Sequence, residues 1–291
     1  MPIESGEQVF SVSDKNHHTF CGISDLFQIQ ISNILEHTSN FFVLGNGEIG
    51  DKARQLIQKE SDILAAGLQV PKTIILADDV LKYMCECLKI DIGTNMHTQF
   101  YTKYHIGKLP HELLHITKLI GQYLEWERLA IRSSACQDSA GTGIYDTKFL
   151  TEFNHSKDPY ISALEKVTPK NIIYTILEIY NSYFSDEGYE YRRQTHASDG
   201  FGVIIQPIIG QDIAKAHDYP EWGTIFEPVL SGNGYTSTLK NNIPTLTVVP
   251  GIGGGVEGAG VNGITNHIVE EIGFDIFFVL QRLGISHDSA L

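Results

Sequence analysis

Three separated stretches of this sequence carry residue types suited to a polyphosphate. In Gly50-Asp51-Lys52-Ala53 a compact ammonium stands at the start of a helical pattern, from which it could reach phosphate oxygens. Local sequence alone also allows Lys52 to be a solvated surface lysine. The second stretch is Ala130-Ile131-Arg132-Ser133-Ser134-Ala135, followed by Asp138-Ser139-Ala140-Gly141-Thr142-Gly143-Ile144-Tyr145-Asp146-Thr147. A guanidinium offers a planar fork of donors, hydroxyls add neutral donors, and glycines let backbone amides approach a phosphate. The same Ser, Thr and Gly also suit an ordinary turn. The third is Val203-Ile204-Ile205-Gln206-Pro207-Ile208-Ile209-Gly210, an apolar strand with a polar residue near its end. An adenine ring fits such an edge, as does a plain buried strand with no ligand.

Other chemistry competes for notice. His111-Glu112-Leu113-Leu114-His115 matches the helical zinc-protease pattern, with two imidazoles four apart and a glutamate to activate water. No third-ligand pattern follows it, and the 12 histidines of the chain raise the odds of a chance match. Cys21, Cys85, Cys87 and Cys136 are scattered, and Cys85-x-Cys87 has no second pair to close a zinc site, so free thiols are expected.

The bulk numbers restrict the function classes. A net charge of −14 over 291 residues argues against a nucleic-acid partner, because that affinity rests on Lys and Arg neutralising phosphates. No apolar run approaches the ~18 residues that span a bilayer, and Met1-Pro2-Ile3-Glu4 lacks the order of a signal peptide. The expectation is a cytoplasmic protein with no membrane partner.

The elements that must position these residues alternate in type. Up to about Ser39 the chain is polar and irregular, with one amphipathic stretch from Leu26 to Leu35. Phe41 to Leu44 reads as a strand, Gly45-Asn46-Gly47-Glu48-Ile49-Gly50 as a loop, and Lys52 to Ala66 as a helix stopped by Gly67. Val70 to Leu76 is β-rich, and Asp78-Asp79 opens a capped helix to about Leu88. Helical pattern returns from Pro110 to Gly121 and from Asp158 to Arg193. Leu129 to Arg132 and Phe201 to Pro207 read as strands, and Val269 to Leu283 as a terminal helix. α and β are mixed throughout, in two lobes with a cleft between them.

The ordered set Ile49 to Leu56, Val70 to Thr73, Leu129 to Ala135, Asp138 to Thr147, Val203 to Gly210 and Pro228 to Gly232 resembles the nucleotide-binding domain of phosphoenolpyruvate synthase and pyruvate phosphate dikinase. Each motif is modest; their order and spacing carry the resemblance from about Leu44 to about Gly255. It implies an α+β, two-lobed ATP-grasp fold with ATP in the cleft. Residues 1–40 would be an N-terminal extension, 41–200 the N-terminal lobes with the lysine and arginine motifs, and 201–291 an incomplete C-terminal lobe. By the same likeness Lys52 and Arg132 hold the phosphates beside Ser133, and Gly141, Thr142, Gly143 and Thr147 belong to a glycine-rich cover. Gln206, Pro207 and Ile208 form the adenine hinge. The implied cofactors are ATP and magnesium (Mg2+). Family members transfer the β-phosphate of ATP to a histidine on a separate swivelling domain, which implies a phosphohistidine-domain protein as partner beside the adenine nucleotide itself.

The pattern then departs from the family. Gly251-Ile252-Gly253-Gly254 stands where relatives carry a glycine-leucine-glycine-glutamate run. Glu270, Glu271, Asp275 and Gln281 read as the solvated face of a helix rather than as metal ligands, so the metal site stays unknown. Thr195-His196-Ala197 lies between a helix and the hinge strand and is rejected as a phosphoryl acceptor. The expectation is ATP binding, with turnover depending on a longer polypeptide or a partner chain. The alternatives are a nucleotide-binding or scaffold protein without catalysis and, remotely, the zinc protease.

Overall fold

A computed structural model of the chain describes residues 40–65, 69–125, 128–136, 144–150, 167–196 and 199–209 with their side chains. It describes six further strands, Thr19–Cys21, Gln211–Ile213, Ile225–Glu227, Leu230–Tyr235, Thr245–Pro250 and Ile268–Glu271, by backbone alone. The expected helix from Leu26 to Leu35 and the loop glycines Gly141 and Gly143 lie outside the described residues, as does Thr142.

The chain divides into two compact units, Met1–Ile208 and Ile209–Leu291. The first is built on a 6-stranded sheet in the order β1-β2-β3-β6-β4-β5. Its strands are β1 (Thr19–Cys21), β2 (Phe41–Leu44), β3 (Thr73–Leu76), β4 (Leu129–Ala135), β5 (Thr147–Leu150) and β6 (Phe201–Pro207). β1, β2 and β3 run parallel, whereas β6 pairs antiparallel with both β3 and β4. The expected lobe boundary between 200 and 201 and the division after Ile208 bracket β6.

Helices cover both faces of this sheet, which is why β2 and β3 read as unbroken apolar runs rather than alternating ones. Helix α1 (Gly50–Ala65) is the crossover between the parallel strands β2 and β3 and covers one face. There Ala53 packs with Phe41, Val43, Ile75 and Ile204, and Leu56 and Ile57 close the cluster. The opposite face buries the larger core beneath α2 (Asp78–Leu88), α3 (Met96–Tyr104), α4 (His111–Tyr123) and α5 (Pro169–Tyr183). α5 begins on Thr168, whose side chain accepts from the Asn171 amide at 3.2 Å, with Pro169 in the first turn where its missing N–H costs nothing. Ser185 starts α6 (Asp186–Thr195) in the same way, and Arg192 stacks 3.7 Å from the centroid of Tyr183.

In the second unit, β7 (Gln211–Ile213) pairs with β8 (Ile225–Glu227), while β9 (Leu230–Tyr235), β10 (Thr245–Pro250) and β11 (Ile268–Glu271) form an antiparallel sheet in the order β11-β10-β9. The expected terminal helix is corrected at its start. Val269, Glu270 and Glu271 lie in β11, with Val269 opposite Thr247, because a short apolar run flanked by charge satisfies either period and pairing decided it. The long helical stretch also resolves differently: within its described part, α5 and α6 are separate helices broken at Phe184 and Ser185. Among the described residues no helix is long and apolar enough to cross a membrane.

Candidate functional site

The loop from Gly45 to Gly50 leads from β2 into α1 and is held from below by the start of α2. The Asn46 amide donates to Asp79 Oδ2 at 2.9 Å and the Glu48 amide to Asp78 Oδ1 at 3.0 Å. The Asp78 amide returns a bond to the Glu48 carbonyl at 2.9 Å. Ala77 stands at the N-cap of α2 without a side-chain bond; Asp79 Oδ1 accepts the Val80 amide of the first turn at 3.0 Å, and both acids also anchor the loop. The amides of Asn46 and Glu48 are therefore engaged within the protein.

The far end of the loop is fixed by β4. Ser134 is fully buried and its Oγ accepts the Ala53 amide at 3.0 Å, satisfying one of the donors that a helix start leaves without an intrahelical partner. Gly50, at φ 74°, lies so close to Ser134 that a β-carbon there would run into the Ser134 carbonyl oxygen. Gly202 on β6 meets the Ile49 carbonyl in the same manner. The first turn of α1, which includes Lys52, is thereby held against Ser134 at the end of β4.

Side chains alternate along a strand, so Ala130, Arg132 and Ser134 share the α1 face of β4. Arg132 lies two residues from Ser134, about 7 Å along the strand. It stands beside Ile204 on β6 and Thr147 on β5. The residue is half-buried, and among the described residues its side chain has no hydrogen-bond or ion-pair partner. Ala130 is the register partner of Gln206 on one side and of Phe149 on the other. Phe149 is 44% exposed, so this part of the face is not covered by α1. Gln206 donates from Nε2 to Thr73 Oγ1 at 2.9 Å.

No protein-family model matches this chain, and no curated protein matches it significantly.

Arg132, Thr147 and Gln206 share one face of the sheet, the face on which α1, with Lys52 in its first turn, packs. The structure does not bring the Ser133 hydroxyl there: Ser133 is 1% exposed, faces the opposite core, and its Oγ has no hydrogen-bond partner among the described residues. Pro207 ends β6, and Ile208 follows as the last residue of the first unit, donating its amide to the Arg128 carbonyl at 2.8 Å. Sequence reasoning quoted Ala130, Ser134 and Thr73 within their motifs without giving any of them a place in the site, and passed over Phe149. Period-two alternation from Arg132 was the available signal for Ser134 and Ala130.

The remaining candidates fall elsewhere. His111, Glu112 and His115 occupy the first turns of α4, on the far side of the sheet from α1. Among the described residues no three His, Cys, Asp or Glu side chains gather to hold a metal ion. His196 caps α6 in the left-handed conformation, φ 51°. Cys85, Cys87 and Cys136 are free thiols, and burial pushes the Cys85 thiol up to about 12.

Proposed function

We propose that this chain binds ATP as the nucleotide-binding part of a phosphotransfer enzyme of the phosphoenolpyruvate synthase and pyruvate phosphate dikinase kind, on a two-lobed ATP-grasp fold. One observation carries the reading: Arg132, half-buried and without a protein partner among the described residues, lies between Ala130 with Gln206 on one side and the Ser134 bond to α1 on the other. A half-buried arginine whose side chain has no partner among the described residues keeps its planar fork of donors available, and a phosphate supplies the matching bidentate acceptor. Lys52 supplies a second cation from α1, whose N-terminal dipole also favours an anion. The base would lie toward Gln206 and Ile208, leaving the phosphates toward α1.

The proposal covers binding. Phosphoryl transfer depends on neutralising charge on the moving group, and the described residues present no carboxylate cage for magnesium. The acceptor histidine belongs, in this reading, to a partner protein or a further domain.

Calorimetry and thermal shift with ATP, ADP and AMP test the reading, since a ligand of the native state raises stability by mass action. ATP is expected to bind and to shift the melting temperature upward at millimolar concentration. No response to any of the three would defeat the assignment.

A further inference from the structure

The loop between β2 and α1, Gly45-Asn46-Gly47-Glu48-Ile49-Gly50, has its glycines at the G-x-G-x-x-G spacing. It also stands where that spacing carries chemistry, after one parallel strand and before the helix that crosses to the next. In such a loop the glycines let backbone amides close on a phosphate. Here the anion that meets the loop is the chain's own. A β-carbon at Gly47 would run into Asp78 Oδ1, and one at Gly45 into Asp79 Oδ1. The amides between them are taken by the same two side chains, Asn46 by Asp79 Oδ2 at 2.9 Å and Glu48 by Asp78 Oδ1 at 3.0 Å.

Topology delivers this pair. Asp78 and Asp79 follow Ala77 past the carboxyl end of β3, and the Ala77 amide donates to the Leu44 carbonyl at the carboxyl end of β2, at 2.9 Å. Lys82, one turn along α2, holds the second oxygen of Asp78 at 2.7 Å, so that carboxylate is fixed from both sides. Burial does not protect these contacts, since Asn46, Gly47 and Glu48 are all exposed. A dissolved phosphate can therefore reach the loop, but it must displace two carboxylates whose charge repels it.

We propose that this glycine loop is an anion loop closed by its own chain, with the Asp78 and Asp79 carboxylates filling the place of a phosphate and keeping phosphates out. Nucleotide phosphates are then left to Arg132 and Lys52, with no amide of this loop among their ligands. The inference goes beyond the nucleotide reading and does not depend on it.

The test is NMR of the Asn46 and Glu48 amides in the full chain, titrated with inorganic phosphate and, separately, with ATP. In the parent both signals are expected to stay in place through millimolar phosphate and through ATP, while ATP moves the signals of β4 around Arg132. With Asp78→Ala and Asp79→Ala together, the two amides should exchange with solvent at least roughly tenfold faster and shift saturably with phosphate. Parent amides that shift saturably with phosphate or ATP overturn the proposal, as does an alanine double variant of parental melting temperature whose amides ignore phosphate. If the alanine pair lowers the melting temperature, Asp78→Asn with Asp79→Asn takes its place. Each asparagine keeps an oxygen for its amide but lacks the charge, so phosphate should now move both signals, and signals that stay still overturn the proposal. A parent in which ATP moves no signal at all overturns the nucleotide site, and the phosphate titrations still decide the loop.

Discussion

Ser134 Oγ accepts the backbone amide of Ala53 at 3.0 Å across 81 residues of sequence, tying the first turn of the lysine-bearing helix to the strand that carries Arg132. Both groups are buried, so the bond has no solvent substitute. Ser134→Ala strands the Ala53 N–H and is expected to cost about 1–3 kcal/mol. Denaturant unfolding of the variant beside its parent measures this, and a loss under a few tenths of a kcal/mol would show that the tie is dispensable.

Gly50→Ala should be worse than Ser134→Ala. The backbone at φ 74° disfavours a side chain, and the new methyl would meet the rigid Ser134 carbonyl rather than a flexible side chain. The expected cost is about 3 kcal/mol or more. Gly93→Ala is the comparison, since nothing lies within 4 Å of a β-carbon there. Equal stabilities for the two variants would refute the close approach of α1 and β4.

Alkaline pH should destabilise the fold. Burial pushes the Cys85 thiol from an ordinary 9.0 up to about 12 and the Tyr83 phenol from 10.0 up to about 12, and raises Tyr123 and Tyr180 in the same direction. The folded state then holds protons that the unfolded state has released, so stability falls as pH rises through this interval. It is unaffected by these groups below pH 9, the ordinary value of the thiol. Melting temperatures are expected to stay level up to about pH 9 and to decline steadily above it. A level profile to pH 12, the raised value of both groups, would contradict the burial described for them.

Much of the first unit was legible in the sequence. Phe41–Leu44 and Phe201–Pro207 are the strands that their β-branched and aromatic runs suggest, and Asp78–Leu88 is the helix its periodicity suggests. Met96–Tyr104 was not legible, because its polar residues bury little more than Met96 and Phe100 and the hydrophobic period is weak. Thr147–Leu150 was not read as any element; its pairing with Leu129–Arg132 is a tertiary fact. Arg132 and Lys52 could be singled out by residue type, whereas the contact that unites them runs through Ser134 and an amide proton. Ser133 misled because adjacent residues on a strand face opposite sides.

The zinc alternative makes a separate demand. His111→Ala should leave nucleotide binding unchanged, because α4 lies on the opposite face of the sheet from α1. Metal analysis of protein purified without an affinity tag should find no stoichiometric zinc. One zinc per chain, lost in His111→Ala, would favour the metal reading instead.

The most direct measurement is the affinity of Arg132→Ala and Lys52→Ala for ATP and for adenosine, by calorimetry on variants that melt like the parent. Charge-assisted hydrogen bonds contribute about 1.5–3 kcal/mol each, so either variant should weaken ATP by roughly ten- to a hundredfold and leave adenosine nearly unchanged. Arg132→Lys should not restore ATP affinity, since a point charge does not replace a planar fork. ATP bound with parental affinity by both alanine variants would contradict the phosphate site, whatever the fold.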